Sequence, residues 1–172
     1  MKEAPGGTPV GVDDPYAFAG RCDFVTEDGR CRFARDHADV DPAFAAAREA
    51  AGFGCPVAEG EWDWTDCPKY RSRSEADECR RCGLSERRQA HEDTQPLIEE
   101  HHLSYDTGAP TAHEITVALC RWCHAKVHQS FARIEDDARP DTAALAEHEA
   151  RRSAELEELS FETAAERETK DR

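Results

Sequence analysis

The residues of this chain with the clearest capacity for chemistry are two pairs of cysteines. Cys79 and Cys82 form one Cys-x-x-Cys pair, and Cys120 and Cys123 form another. Each pair can present two thiolates on one turn, and two such pairs complete the tetrahedral shell that zinc prefers. A redox pair or two unrelated turns are the alternatives, but a redox Cys-x-x-Cys normally opens a helix in a thioredoxin-like setting, without a matching second pair. The spacing therefore predicts a structural zinc site.

Four histidines accompany these cysteines. His101 and His102 are adjacent on a predicted strand, so their side chains point to opposite faces and can take different roles. His124 and His128 are four residues apart on a predicted helix, which places both imidazoles on one face, within reach of one divalent ion. Each of these histidines can instead simply pack or cap an element. The pattern indicates a second metal site beside the cysteines.

The order of these motifs resembles the zinc-stapled subclass of the HNH endonuclease superfamily. The resemblance covers about residues 79–131, with the motifs Cys79-x-x-Cys82-Gly83, His101-His102, Leu119-Cys120-x-x-Cys123-His124 and His128. It implies a ββα-metal fold, treble-clef-like in character, in which His101 is a metal ligand and His102 the general base. His124 and His128 match the helical ligands of the nuclease colicins, which belong to the same superfamily. The ion implied is Mg²⁺, Mn²⁺, Ni²⁺ or Zn²⁺.

The implied activity is hydrolysis of a phosphodiester bond in DNA. In that chemistry His102 deprotonates a water while the ion stabilises the phosphate and the leaving oxygen. The sequence departs from the family at the asparagine that braces the base, because Ile115 stands at or near that position and the chain contains no asparagine. His113 and Glu114 are the candidates to replace it. The alternative function is a non-catalytic zinc module that binds nucleic acid or protein. Ile115 at the position of the asparagine favours this alternative, whereas the adjacent His101 and His102 favour the enzyme.

Basic residues gather around the two cysteine pairs in an otherwise acidic chain. Arginine can bind phosphate through the several N–H donors of its guanidinium group. Salt bridges with the neighbouring Glu78 and Glu86 explain the same residues equally well. If the chain binds nucleic acid, the expected contacts are Arg80, Arg81, Arg121 and Lys126.

The remaining four cysteines lack paired spacing, but their number fits one more tetrahedral site. They are Cys22, Cys31, Cys55 and Cys67. We expect a second structural zinc here, with His37 as a substitute ligand, and buried unligated thiols are the alternative. Four aromatic residues would supply the small core around the metal, although exposed tryptophans could stack on bases instead. They are Phe24, Phe44, Trp62 and Trp64.

The charge of the chain is related to the salt concentration of its surroundings. The net charge is −15, and acidic residues outnumber basic ones by 37 to 22. This balance, with arginine favoured over lysine, is typical of a halophile-type protein that works in concentrated salt. In molar salt the Debye length is about 3 Å, so acidity does not exclude a nucleic-acid partner. Any such binding needs direct contacts or a metal, because salt also removes most counterion release.

Neither a signal peptide nor a membrane-spanning run is recognisable, so we expect a cytoplasmic chain without a membrane partner. In that reducing compartment cysteines are more often metal ligands than disulfides. The oligomeric state is not predicted.

The elements that must position these residues indicate a small α+β protein. We expect a loose N-terminal arm over 1–20, a cysteine-rich zinc module over 21–74, an HNH-like module over 75–139 and an acidic helical tail over 140–172. Strands are predicted over 97–105 and 115–119, and helices are predicted to begin at Pro42, near Trp122 and after Asp141. The helix from Trp122 is expected to continue past Ile134 until Pro140.

Overall fold

The computed structural model describes residues 1–86, 97–105, 113–136 and 140–159. Four α-helices are present in these ranges: α1 (Arg32–Asp36), α2 (Pro42–Ala50), α3 (Arg121–Gln129) and α4 (Thr142–Leu159). Three strands accompany them, β1 (Arg71–Ser72), β2 (Ile98–Ser104) and β3 (Glu114–Cys120). Two short 3-10 helices cover Pro15–Phe18 and Trp64–Asp66. The small α+β class is therefore confirmed.

The three strands form one sheet in the order β1-β3-β2. β2 and β3 are antiparallel, with His101 opposite Val117 and His102 opposite Thr116. β3 runs without a break into α3, because Cys120 is both the last residue of the strand and the N-cap of the helix. The predicted order of strand, strand and helix is thus confirmed, while the predicted turn at 107–110 lies outside the described residues.

α3 is shorter than predicted. It ends at Gln129, and Ser130 returns to an extended backbone with φ −145° and ψ −177°. The apolar residue that suggested a longer helix, Ile134, is buried, and its amide donates to the carbonyl of Gly11 at 3.0 Å. Contact with the N-terminal segment, and not helical periodicity, explains why this position is apolar.

The N-terminal arm is packed against the protein, so the prediction of a loose arm over 1–20 was wrong. Lys2 and Val12 are joined by a backbone hydrogen bond of 2.7 Å, and Glu3 pairs with Pro9 across a hairpin-like turn. Val10 and Val12 are buried in the main core. The glycines and prolines that suggested looseness instead form the turns, with Gly7 and Gly11 at φ of +78° and +81°.

The main hydrophobic core crosses the predicted segment boundaries. It includes a buried residue from each predicted segment: Val10, Cys22, Cys79 and Leu145. A smaller core cluster is formed by Cys31, Phe33, Ala34 and Ala45, around α1 and α2. The four segments therefore share a core. Trp62 and Trp64 pack against it, as the core interpretation expects.

The helix starts follow their predicted capping residues. The Asp41 carboxylate accepts from the amide of Phe44 at 3.1 Å and caps α2, while Pro42 occupies its first position. The Asp141 carboxylate accepts from Ala143 and Ala144 ahead of α4. No helix among the described residues is long and apolar enough to cross a membrane.

Candidate metal centres

The four cysteines of the two Cys-x-x-Cys pairs meet in space. The first pair lies on a turn in which the amide of Gly83 donates to the carbonyl of Cys79 at 2.8 Å. A backbone hydrogen bond of 2.8 Å from Arg80 to Ala118 ties this turn to β3, which ends at the second pair. The ligand atoms of Cys79, Cys82, Cys120 and Cys123 all lie within 4.8 Å of one another. This group is called the Cys cluster below.

The geometry of the Cys cluster fits a tetrahedral zinc site. Zn–S bonds of about 2.3 Å require sulfur atoms roughly 3.8 Å apart. The Sγ atoms of Cys82 and Cys120 are 3.8 Å apart, and none of the four cysteines forms a disulfide. Cys79, Cys120 and Cys123 are buried. The donor set, its spacing and its burial are those of a closed structural site.

The thiolate form is favoured at Cys79 of the Cys cluster, whereas burial raises the pKa of the Cys82 thiol. Hydrogen bonds from the thiols of Cys120 and Cys123 hold the pKa of Cys79 below its ordinary value. The Arg81 guanidinium lies 3.8 Å from the Cys123 sulfur, and its side chain is only 6% exposed. A cation held beside the sulfur stabilises negative charge on the ligands, as the partners of metal ligands commonly do.

Three histidines form a second group, which we call the His cluster. His101 projects from β2, and His124 and His128 project from one face of α3. Each pair of rings has its centroids 4.9 Å apart. One ring nitrogen from each histidine lies within 4.8 Å of the others. The predicted metal ligands are therefore brought together.

Each imidazole of the His cluster has an outer partner that fixes one ring nitrogen. His101 Nε2 donates to the carbonyl of Val10 at 2.9 Å, and the His128 ring donates to the carbonyl of Pro9. His124 Nδ1 lies 2.6 Å from a carboxylate oxygen of Glu99. The Nδ1 atoms of His101 and His128 are buried and lack a hydrogen-bond partner among the described residues. This arrangement, one nitrogen held and one available, is the one that metal-binding histidines adopt.

Burial keeps two of these imidazoles in the neutral form that binds metal. It lowers the pKa of His101 to about 4, and the neighbouring His124 and His128 act in the same direction. Burial, followed by the charge of His124, also lowers the pKa of His128. The His124 side chain remains 25% exposed, so the cluster is reachable from solvent. Three imidazoles with access to solvent match a site that keeps an open position for a reactant.

His102 lies on the other face of β2 from the His cluster. Its cross-strand partner is Thr116, and its Nε2 lies 3.2 Å from a carboxylate oxygen of Glu114. Its ring stacks on Tyr105 with centroids 5.1 Å apart and an interplanar angle of 16°. The structure thus separates the predicted base from the ligands by strand alternation. It gives the base a carboxylate partner.

Three residues, His113, Glu114 and Ile115, lie at or near the position where the resemblance implies an asparagine. They have different environments. Ile115 is fully buried in the core. His113 is also buried, with its Nδ1 2.6 Å from the hydroxyl of Tyr16 and its Nε2 donating to the carbonyl of Cys67. Of the two predicted substitutes, Glu114 contacts His102, and His113 serves to join the sheet to the N-terminal half.

The predicted nucleic-acid contacts divide into two pairs. Arg81 is held by the carbonyl of Arg133 and by Asp136, and Arg121 lies near Ser153 and Glu149 of α4. Arg80 and Lys126 are exposed, with their cations over the rings of Phe18 and Trp122 respectively. Arg81 and Arg121 therefore interact with other residues of the protein, whereas Arg80 and Lys126 face solvent.

The first cysteine quartet lies in the N-terminal half, with every thiol buried and free of disulfides. No three of these four sulfur atoms lie mutually within 4.8 Å, unlike those of the Cys cluster. His37 contacts the rings of Phe24 and Phe33 and is itself exposed. The second zinc stays a prediction.

Sequence reasoning missed the outer partners of the His cluster. Glu99 was within reach of prediction, because residues two apart on a strand share a face and Glu99 precedes His101 by two. The carbonyls of Pro9 and Val10 come from a segment about 90 positions away, in a hairpin that no local pattern places against β2.

The chain was compared with protein families, curated proteins and solved structures. A family model matches residues 1–167, and the chain belongs to that family, the Family of unknown function (DUF7097). No curated protein and no solved structure is significantly similar to it.

Proposed function

We propose that this DUF7097 protein is a metal-dependent endonuclease of HNH-like type, in which the His cluster binds the catalytic ion and the Cys cluster binds structural zinc. One observation carries the proposal. Three imidazoles converge, and the buried Nδ1 atoms of His101 and His128 have no hydrogen-bond partner among the described residues. The other nitrogen of each of these two rings is held by Val10 or Pro9, and Nδ1 of His124 is held by Glu99. Orphaned buried nitrogens are costly unless a ligand satisfies them.

The arrangement of elements agrees with this proposal. β2, β3 and α3 form an antiparallel hairpin followed directly by a helix, and the Cys cluster ties the end of β3 to the preceding turn. These are the elements that the resemblance to HNH endonucleases implies. A divalent ion bound by the three imidazoles would supply Lewis acidity towards a phosphoryl oxygen.

His102 is the proposed general base. Its Nε2 faces the Glu114 carboxylate, so the imidazole is held by a carboxylate and its Nδ1 is the nitrogen available for a proton. β2 is an edge strand of the described sheet, so a phosphodiester lying along that edge is within reach of side chains on both faces. His101 on one face and His102 on the other can then serve the same bond.

A cleft beside β3 offers room for a substrate, although neither His102 nor a residue of the His cluster lines it. It has a volume of about 960 Å³ and is lined in part by Thr116, the cross-strand neighbour of His102. Arg73 and Arg80 contribute positive charge to it, and Glu78, Glu135 and Asp136 contribute negative charge. This mixed charge agrees with binding through direct contacts in concentrated salt, and not through a broad positive field.

The test is a plasmid-nicking assay in high salt with Mn²⁺ or Mg²⁺. We expect wild type to nick the plasmid, His124→Ala to lose activity through loss of metal, and His102→Ala to lose about 10²–10⁴-fold. His148→Ala, which removes an exposed histidine of α4, is the matched control and should retain activity.

Each outcome of this assay has one meaning. Full activity in His102→Ala would remove His102 as the base, and full activity in His124→Ala would remove the His cluster as the metal site. Inactive wild type with bound zinc would favour the second candidate, a non-catalytic zinc module. The observation that favours that module is Ile115, buried where the family has its asparagine.

A further inference from the structure

The first cysteine quartet has structural features that its spacing in sequence does not reveal. Cys22, Cys31, Cys55 and Cys67 come from four separate segments, and all four side chains are buried. The Cys67 thiol is close enough to interact electrostatically with the other three. Four buried thiols in one part of a protein are an unusual concentration of soft metal ligands.

Backbone amides point at three of these sulfur atoms in a repeated way. Cys22 accepts from the amide of Phe24, Cys31 from that of Phe33 and Cys67 from that of Lys69. In each case the donor lies two residues after the cysteine. Cys82 of the Cys cluster accepts from Leu84 in the same way. Amide donors of this kind orient a thiolate and stabilise its charge when it is bound to a metal.

Further hydrogen bonds draw the cysteine-bearing segments together. The amide of Cys31 donates to Phe53, and the amide of Cys55 donates to Gly29 at 2.9 Å, so these two segments are joined side by side. The amide of Asp23 donates to Arg71 at 2.8 Å, and the same Arg71 provides a second amide donor to the Cys22 sulfur. The backbone therefore joins the segment of Cys31 to that of Cys55, and the segment of Cys22 to the one that follows Cys67.

Beyond its share of the main core, to which Cys22 and Cys67 belong, this part of the protein has only a small core of its own. Its regular structure consists mainly of α1 and α2, of five and nine residues, and its own core cluster has only four buried residues. Small cores generally need a disulfide or a metal to reach useful stability. The cysteines are not in disulfides.

We propose that Cys22, Cys31, Cys55 and Cys67 bind a second structural zinc ion, which joins the four segments of the N-terminal half. Because no three of these sulfur atoms lie mutually within 4.8 Å, binding requires movement of at least one of the four side chains. This proposal is independent of nuclease activity, because none of these cysteines contributes to the His cluster.

The test counts zinc ions that are released by modification of thiols. The full chain carrying His124→Ala and His128→Ala, which cannot hold metal at the His cluster, is purified without chelator. It is then titrated with p-hydroxymercuribenzoate beside a chromogenic zinc indicator. We expect two zinc ions per chain, released as all eight cysteines react. One zinc ion released by eight thiols would overturn the proposal, as would only four reactive thiols, which would indicate disulfides.

A second measurement uses the wild-type chain and does not depend on the double variant folding. After replacement of zinc by Co²⁺, the thiolate-to-cobalt charge-transfer absorption reports cobalt–sulfur bonds, to which a histidine site does not contribute. We expect about twice the intensity per chain of a one-site Cys₄ reference protein. Intensity equal to the reference would overturn the second centre. An inactive protein with double intensity would overturn only the proposed nuclease function.

Discussion

Glu99 is the side chain that connects β2 to the solvent-accessible imidazole of the His cluster. Its carboxylate lies 2.6 Å from His124 Nδ1, so it fixes which nitrogen of His124 faces the cluster. Loss of such an outer partner typically weakens metal binding by about 10–100-fold. We therefore expect Glu99→Gln to raise the Kd for Mn²⁺ or Zn²⁺ at the His cluster by about 10-fold, measured by calorimetric titration.

Glu100→Gln is the matched control for this change, because Glu100 is the next residue and faces the other side of β2. There its carboxylate accepts from the hydroxyl of Thr116 at 2.9 Å. Both variants remove one negative charge from the same strand. Equal weakening by both would show that general electrostatics, and not the contact with His124, governs metal affinity.

Arg81 and Arg80 are adjacent in sequence but differ in what they contact. Arg81 reaches the Cys123 sulfur, the carbonyl of Arg133 and Asp136, whereas Arg80 is exposed. We expect Arg81→Ala to lower the free energy of unfolding by about 1–3 kcal/mol, because a buried hydrogen-bond network is broken. Arg80→Ala should change it by less than about 0.5 kcal/mol.

Chemical denaturation and the rate of zinc transfer to a chelator measure this difference. Arg81→Ala should also release zinc faster, since the cation beside Cys123 no longer stabilises thiolate charge. If Arg81→Ala left stability unchanged and impaired nucleic-acid binding instead, Arg81 would be a phosphate contact, as the sequence first suggested.

At the residue level, the metal ligands were predictable and their partners mostly were not. Cys-x-x-Cys spacing and the four-residue spacing of His124 and His128 are local consequences of turn and helix geometry. The contacts of Arg81 with Arg133 and of His101 with Val10 join residues 52 and 91 positions apart. Such contacts depend on tertiary packing, which no local pattern encodes.

At the level of elements, the N-terminal hairpin completes the His cluster. Gly11 follows Val10, whose carbonyl accepts from His101, and it has a φ of +81°. A Cβ atom at Gly11 would lie 2.9 Å from Val127 and 3.2 Å from Ile134. The composition of this segment predicted a loose arm. That prediction failed because glycine and proline indicate turns equally well in packed and in mobile segments.

Gly11→Ala therefore combines two penalties. The left-handed backbone costs a non-glycine residue about 1–2 kcal/mol, and overpacking against Val127 and Ile134 costs about 1–3 kcal/mol more. We expect a loss of about 2–5 kcal/mol in the free energy of unfolding. Metal affinity at the His cluster should fall as well, because the Val10 carbonyl is displaced.

Gly7→Ala isolates the backbone penalty. Gly7 has a φ of +78°, and no described atom lies within 4 Å of the position that its Cβ would occupy. It should lose about 1–2 kcal/mol and keep its metal affinity. If both variants bound metal as wild type does, the hairpin would be a structural cover with no part in the metal centre.

At the scale of the whole molecule, the net charge of −15 is a property that salt can modulate. Self-repulsion among the carboxylates destabilises the compact state, and the Debye length shrinks from about 10 Å at 0.1 M salt to about 3 Å at 1 M. We expect KCl at molar concentration to raise the free energy of unfolding by about 1–2 kcal/mol relative to dilute buffer, or about 3–6 °C in Tm.

Replacing three exposed carboxylates of α4 by glutamine provides the comparison. The variant Glu147→Gln, Glu155→Gln and Glu158→Gln carries three fewer negative charges on solvent-facing positions. Its Tm should depend less steeply on KCl than that of wild type. An identical dependence would mean that salt acts through exclusion from the protein surface and not through charge screening.

The two described clusters should respond differently to removal of metal from the whole molecule. The Cys cluster joins the turn at Cys79 to the junction of β3 and α3, and three of its cysteines belong to the main core. Without a cation the four sulfur atoms lose the bonds that join these two segments, so folding and zinc binding there are coupled. The His cluster differs, because His101 and His128 keep their hydrogen bonds to Val10 and Pro9 when no ion is bound.

We therefore expect two separate stages during chelation. A mild chelator should abolish the proposed nuclease activity and leave the circular dichroism spectrum unchanged, because only the solvent-accessible His cluster loses its ion. A stronger chelator, or mercurial attack on the thiols, should then unfold the sheet and α3 together. Unfolding in the first stage would show that the His cluster stabilises the fold and is a structural site. Retention of the native spectrum after complete zinc loss would show that the shared core stabilises the protein without the Cys cluster.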